Sequence, residues 1–159
     1  MDAFSIKIFF PDGITDGFRT VEIDDWSGQG IVCPKSLFQK KREEFQKVGV
    51  YVLIGDSEKT DREKIYIGIS ENVFDRLDKH YVEKDFWQKV ILFTGNNLTY
   101  THAKFLESRL ITLAKQSKQC ELDNIDSSNE PTIGPGDRTY GKVFAGSVQV
   151  FFCDWYPIL

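Results

Sequence analysis

The sequence predicts an α+β fold from three observations. Across 48–117 the patterns run strand, strand, helix, strand, helix, with β-branched runs alternating with segments of helical apolar spacing. A period-2 segment at 4–34 precedes them, giving a β-rich extension. A break rich in Ser, Asn, Asp, Pro and Gly at 124–137 separates them from further strand-like runs at 142–155.

The first alternating stretches are Phe4-Ser-Ile-Lys-Ile-Phe-Phe and Phe18-Arg-Thr-Val-Glu-Ile, and Pro11-Asp12-Gly13 between them is turn chemistry. Residues 36–46 read as a short, highly charged helix with Ser36 as a possible cap. The two runs at 48–54 and 64–69 are joined by a polar stretch, as in a hairpin with a long loop. Ser70 can cap a helix over 71–81, and a third strand over 86–94 is stopped by Gly95-Asn96-Asn97. Thr99 then caps a long helix to about 117, the best helical signal in the chain. The tail, with Val143-Phe144 and Val148 to Phe152, either covers an apolar patch or offers a self-association surface.

Composition excludes several classes. No apolar run approaches the roughly 20 residues of a membrane span, and the start of the chain lacks the basic and apolar regions of a signal peptide, so a cytoplasmic location is expected. Cys33, Cys120 and Cys153 are odd in number and far apart, which suits small buried hydrophobes better than a disulfide framework. His80 and His102 are the two histidines, and no Cys/His spacing suggests zinc. The net charge of −4 does not advertise a nucleic-acid protein; the one basic concentration comprises Lys35, Lys40, Lys41, Arg42 and Lys47.

Several residues break their local pattern. On the long helix, Ala103, Leu106, Leu110, Leu113 and Ala114 form an apolar stripe, and Glu107 lies within it. A carboxylate facing a core is costly unless a partner or metal compensates it; the plainer reading is a stripe-edge Glu that bends to solvent or pairs with a nearby Arg or Lys. On the preceding helix, Arg76 and His80 share a face beside Val73, Leu77 and Tyr81, which could equally be an amphipathic edge with a structural histidine. Alternation puts Tyr51 opposite Val50 and Val52, and sets Tyr66 and Gly68 opposite Ile65, Ile67 and Ile69. Paired in that sense, the strands have one aliphatic face and one face with two phenols, where Gly68 leaves room for another backbone. Tyrosine in strands is also ordinary β packing.

Together these residues resemble the GIY-YIG nuclease superfamily. Gly49-Val50-Tyr51 matches its first motif and Tyr66-Ile67-Gly68 its second; Arg76 follows the second tyrosine by the family spacing, His80 comes one helical turn later, and Glu107 stands on the helix after the third strand. Asn124 is the candidate for an asparagine that family members often carry beyond that helix. The match covers about 48–124, which divides the chain into an extension (1–47), a nuclease-like core (48–124) and a tail (125–159). More loosely, residues 6–124 resemble a bacterial subgroup with a β-rich extension, through Trp26-Ser27-Gly28 and Phe86-Trp87. The resemblance implies a small three-stranded antiparallel sheet flanked by helices. Two departures stand out: Ile69 occupies a position where some repair members have lysine, and no separate DNA-binding domain is evident.

The resemblance implies endonucleolytic hydrolysis of DNA, with RNA not excluded, assisted by Mg²⁺ or Mn²⁺ on Glu107. Tyr51, Tyr66, Arg76, His80 and Glu107 would be catalytic, Arg76 holding the phosphate and one tyrosine deprotonating the water. Between Tyr51 and Tyr66 the base is undecided, and its pKa would have to be lowered by Arg76, the metal or a protonated His80. Gly68 and Asn124 would border the substrate, and Lys40, Lys41 and Arg42 would contact its backbone unless they are simply a solvated face. The competing reading is the same fold with idle chemistry, kept for binding nucleic acid or protein.

Overall fold

A computed structural model describes residues 5–24 and 27–124. Phe4, Trp26, the linker beyond Asn124, the strand-like tail and Cys153 lie outside the described residues.

The chain opens with β1 (Ile6–Phe9), β2 (Arg19–Ile23) and β3 (Gly28–Pro34). Gly13 makes the turn between the first two, at a positive φ of 68° with its amide bonded to Phe10. Then follow α1 (Lys35–Phe38), a 3-10 turn (Gln39–Lys41) and α2 (Arg42–Phe45). The core continues with β4 (Gly49–Asp56), β5 (Glu63–Ser70), α3 (Val73–Glu83), β6 (Trp87–Gly95), α4 (Tyr100–Ser117) and β7 (Glu121–Leu122).

The fold is α+β, but the sheet is larger than three strands. Among the described residues it has seven, in the order β1-β2-β3-β6-β4-β5-β7. The three expected strands lie together as β6-β4-β5, all antiparallel, with the β4–β5 hairpin in register from Gly49↔Ser70 to Asp56↔Glu63. β6 pairs with β4 on one side and, from Gly28↔Gly95 to Pro34↔Lys89, with β3 on the other. The extension therefore continues the sheet of the core. Gly28, Gly30 and Pro34 disguise β3 in the sequence, since glycine and proline are poor strand formers.

The expected helix over 36–46 is also corrected. It is two short helices joined by a 3-10 turn, and Pro34, not Ser36, is at the start. Lys41 leaves helical geometry, lying over the Phe18 ring at 4.7 Å and 3.6 Å from Asp12. Phe38 and Phe45 anchor the two pieces, their rings edge-to-face at 5.3 Å. For α3 the cap moves two residues: Asn72 accepts from the Asp75 amide, while Ser70 shapes the preceding turn through Asn72. Thr99 caps α4 as expected, and His102 completes the box by accepting from the Thr99 amide at 3.2 Å.

Alternate strand residues build two cores. On one face Val50, Val52, Ile54, Ile65 and Ile67 meet Ala103, Leu106, Leu110 and Ala114 of α4. On the other, Tyr51, Leu53 and Leu92 meet Phe38, Phe45, Phe74, Leu77 and Trp87. Burying each large apolar side chain contributes about 1.5–3 kcal/mol. Cys33 is buried in the second core and free, its thiol pushed up to about 12 by burial. No helix among the described residues is long and apolar enough to cross a membrane.

Candidate active site

Register and side-chain alternation place Tyr51 directly across from Gly68, with Tyr66 on the same face of β5. A methyl group on Gly68 would overlap the Tyr51 phenol. The room at Gly68 is thus taken by that ring, where a second backbone was expected. The Tyr51 and Tyr66 rings are 6.3 Å apart, and His80 from α3 lies 5.9 Å from the first and 5.2 Å from the second.

Tyr51 is wholly buried, and its hydroxyl is 3.0 Å from His80 Nε2. Burial, followed by the neighbouring Tyr66, pushes its pKa above the ordinary phenol range, with Arg76 pulling against them. Arg76, one turn before His80, has its charge strengthened chiefly by bonding to Tyr51. His80 is lowered to about 4 by burial, with Arg76 and Lys84 adding to the effect. Burial and the two neighbouring cations thus favour the neutral imidazole.

A pocket of about 590 Å³ is lined by Tyr51, Tyr66, Gly68, Arg76 and Glu107, so β4, β5, α3 and α4 all contribute. His80 sits behind it, reaching it through Tyr51. Glu107 is half-buried on the pocket side of α4. Tyr100 and Lys104, seven and three residues before Glu107, also line it, as do Ser70 and Glu71. No motif marks these residues, although the Tyr100, Lys104, Glu107 spacing puts them on one side of a helix.

Asn124 does not line this pocket. Its carboxamide accepts from the Ile67 amide at 3.0 Å and donates to the Ile67 carbonyl at 2.7 Å, bracing β5 between Tyr66 and Gly68. Lys40, Lys41 and Arg42 also lie outside it; Arg42 is stacked over Phe74 at 4.7 Å, Lys41 is engaged with Phe18 and Asp12, and Lys40 is exposed. A residue not anticipated is Lys84, four after His80. Its ammonium lies 4.3 Å over the Tyr66 ring and 2.8 Å from Asp123. It brings a cation to the second tyrosine where Ile69 brings none.

Among the described residues no group of three or more His, Cys, Asp or Glu side chains converges. The pocket instead offers hard oxygen donors, with Glu107 and Glu71 as its carboxylates. Such a set fits a cation of the Mg²⁺ type, which is usually held by one or two carboxylates while water and phosphate oxygens complete its shell.

Comparison with protein-family models, curated proteins and solved structures gives no match to this chain.

Proposed function

We propose that this protein is a metal-dependent endonuclease of the GIY-YIG type, hydrolysing DNA phosphodiester bonds. The observation that carries this reading is the meeting of Tyr51, Tyr66, Arg76 and Glu107 in one pocket, with His80 bonded to Tyr51 behind it. A packing-only fold has no need to gather two phenols, a guanidinium and a carboxylate from four elements.

The chain's own groups divide the work. Arg76 holds the phosphate oxygens and offsets the charge that builds as water attacks phosphorus. Tyr51 does not stand as a phenolate, because its pKa is raised. It acts as a relay, taking the proton of the attacking water as its own proton passes to His80 Nε2. Tyr66, under Lys84, borders the scissile group. A divalent cation on Glu107 would polarise the phosphoryl group and favour departure of the leaving oxygen. Lys40, Lys41 and Arg42 would reach the nucleic-acid backbone away from the pocket.

The net charge of −4 and the raised Tyr51 pKa favour the second reading, a binding module with idle chemistry. Nicking of supercoiled plasmid in Mg²⁺ or Mn²⁺, with EDTA as control, separates the two. Metal-dependent nicking is expected, and Glu107→Gln should lower it at least about 100-fold without shifting the melting temperature. Nicking by that variant at the unmodified rate in Mg²⁺ would remove Glu107 from the site.

A further inference from the structure

The His80 ring carries an anomaly. Its Nε2 is satisfied by Tyr51, but its Nδ1 is buried and has no hydrogen-bond partner. Buried polar atoms are almost always paired, so an orphan beside a candidate site asks for an explanation. The acceptor at hand is Glu83, one helical turn further along α3, whose Oε2 lies 4.0 Å from Nδ1. The histidine is held in place, whereas the carboxylate is exposed. The His80 carbonyl accepts from both the Lys84 amide and the Trp87 indole, and only 4% of the His80 side chain is exposed against 70% for Glu83. Closing by about 1 Å would turn the 4.0 Å approach into a hydrogen bond.

We infer that Glu83 is a positioning residue: it accepts a hydrogen bond from Nδ1–H of His80 and so keeps the Nε2 lone pair aimed at the Tyr51 hydroxyl. This rests on the nuclease reading above for its catalytic consequence, though not for the contact itself. The tautomer decides the direction of proton flow. With the proton on Nδ1, Nε2 accepts and Tyr51 donates; with it on Nε2, the imidazole donates to Tyr51 and cannot take a proton there. During attack, the bond from the water oxygen to phosphorus forms and the bond from phosphorus to the leaving sugar oxygen breaks. The water proton moves to Tyr51 and the phenol proton to Nε2; a pocket water protonates the leaving oxygen, and the imidazolium gives its proton back through the Tyr51 hydroxyl to that water. Glu83 faces that transient positive charge. The other groups bearing on His80 are Tyr51 and Tyr66 from the sheet, Arg76 on its own helix and Lys84 at the helix end. Both cations oppose an imidazolium, and among the described residues Glu83 is the carboxylate acting the other way.

The test uses the full chain with two readouts. Nitrogen-15 NMR of the imidazole should show Nδ1 protonated in the unmodified protein and a shift toward the Nε2–H form in Glu83→Ala. In plasmid nicking, Glu83→Ala should lower kcat on the order of tenfold, the effect typical of losing a carboxylate that orients a histidine, with KM and melting temperature unchanged. Glu83→Gln, whose amide oxygen can still accept, should restore the tautomer and part of kcat. Unchanged tautomer and kcat in Glu83→Ala, in a protein whose nicking still depends on Glu107, would overturn the inference alone. Loss of metal-dependent nicking from the unmodified protein would instead overturn the nuclease reading, leaving the NMR result to decide the contact.

Discussion

The two faces of the β4–β5 hairpin come from alternate residues of the same strands, yet they are built on opposite principles. The α4 face is aliphatic, and Val50, Val52, Ile65 and Ile67 are fully buried with no polar side-chain atom to satisfy. Its contribution is area and shape. The α3 face includes Tyr51, Tyr66 and His80: the Tyr51 hydroxyl is met by His80 Nε2, the Tyr66 ring packs against the imidazole, and Nδ1 is left without a partner. One face sets how strongly the hairpin is held; the other uses that rigidity to fix two phenols and an imidazole with their rings 5.2–6.3 Å apart. The fully buried Tyr51 belongs to both worlds, since its ring packs in the second core while its hydroxyl meets His80.

Three substitutions would break or sharpen this contrast. Ile67→Ala, on the aliphatic face, should cost about 2–5 kcal/mol, read as a lowered midpoint in chemical denaturation. Gly68→Ala, the next residue and on the other face, forces the new methyl against the Tyr51 phenol. It should cost roughly 1–3 kcal/mol as an overpacking change and, by displacing that ring, depress nicking more than stability alone accounts for. Tyr51→Phe keeps the ring and removes only the hydroxyl, so denaturation should shift by less than about 1.5 kcal/mol while nicking falls severely. If Ile67→Ala and Tyr51→Phe reduce activity in proportion to stability alike, the two faces are not divided as described.

Much of this arrangement was legible in the sequence because it rests on periodicity. Period-2 alternation assigns Val50, Val52, Ile65 and Ile67 to one face and Tyr51, Tyr66 and Gly68 to the other, as found. Helical spacing and the Thr99 cap mark α4, and they identify Glu107 as an oddity in its stripe. What escaped depends on tertiary partners. Within the strand-like segment at 4–34 the bounds of β3 (Gly28–Pro34) are blurred by its glycines and proline, and β6 is the partner that defines it. The helix at 36–46 breaks where Lys41 turns toward Phe18 and Asp12, both distant in sequence. Asn124 is a candidate substrate neighbour only through the family resemblance, and nothing in its sequence context announces that its carboxamide bonds the Ile67 backbone. Lys84 and Glu83 carry no motif; they matter through the ring each approaches.

The placement of β6 between β3 and β4 has a kinetic consequence. Its partners on one side come from the start of the chain and on the other from the middle, so neither ladder can close by a short local turn. Non-local pairing of this kind slows folding, because loop-closure entropy is lost before the contacts that repay it form. The Tyr51–His80 bond joins β4 to a helix that leads directly into β6. Its appearance in refolding, followed through the Tyr51 environment, would therefore report docking of α3 onto β4, an event distinct from closure of the β6 ladders.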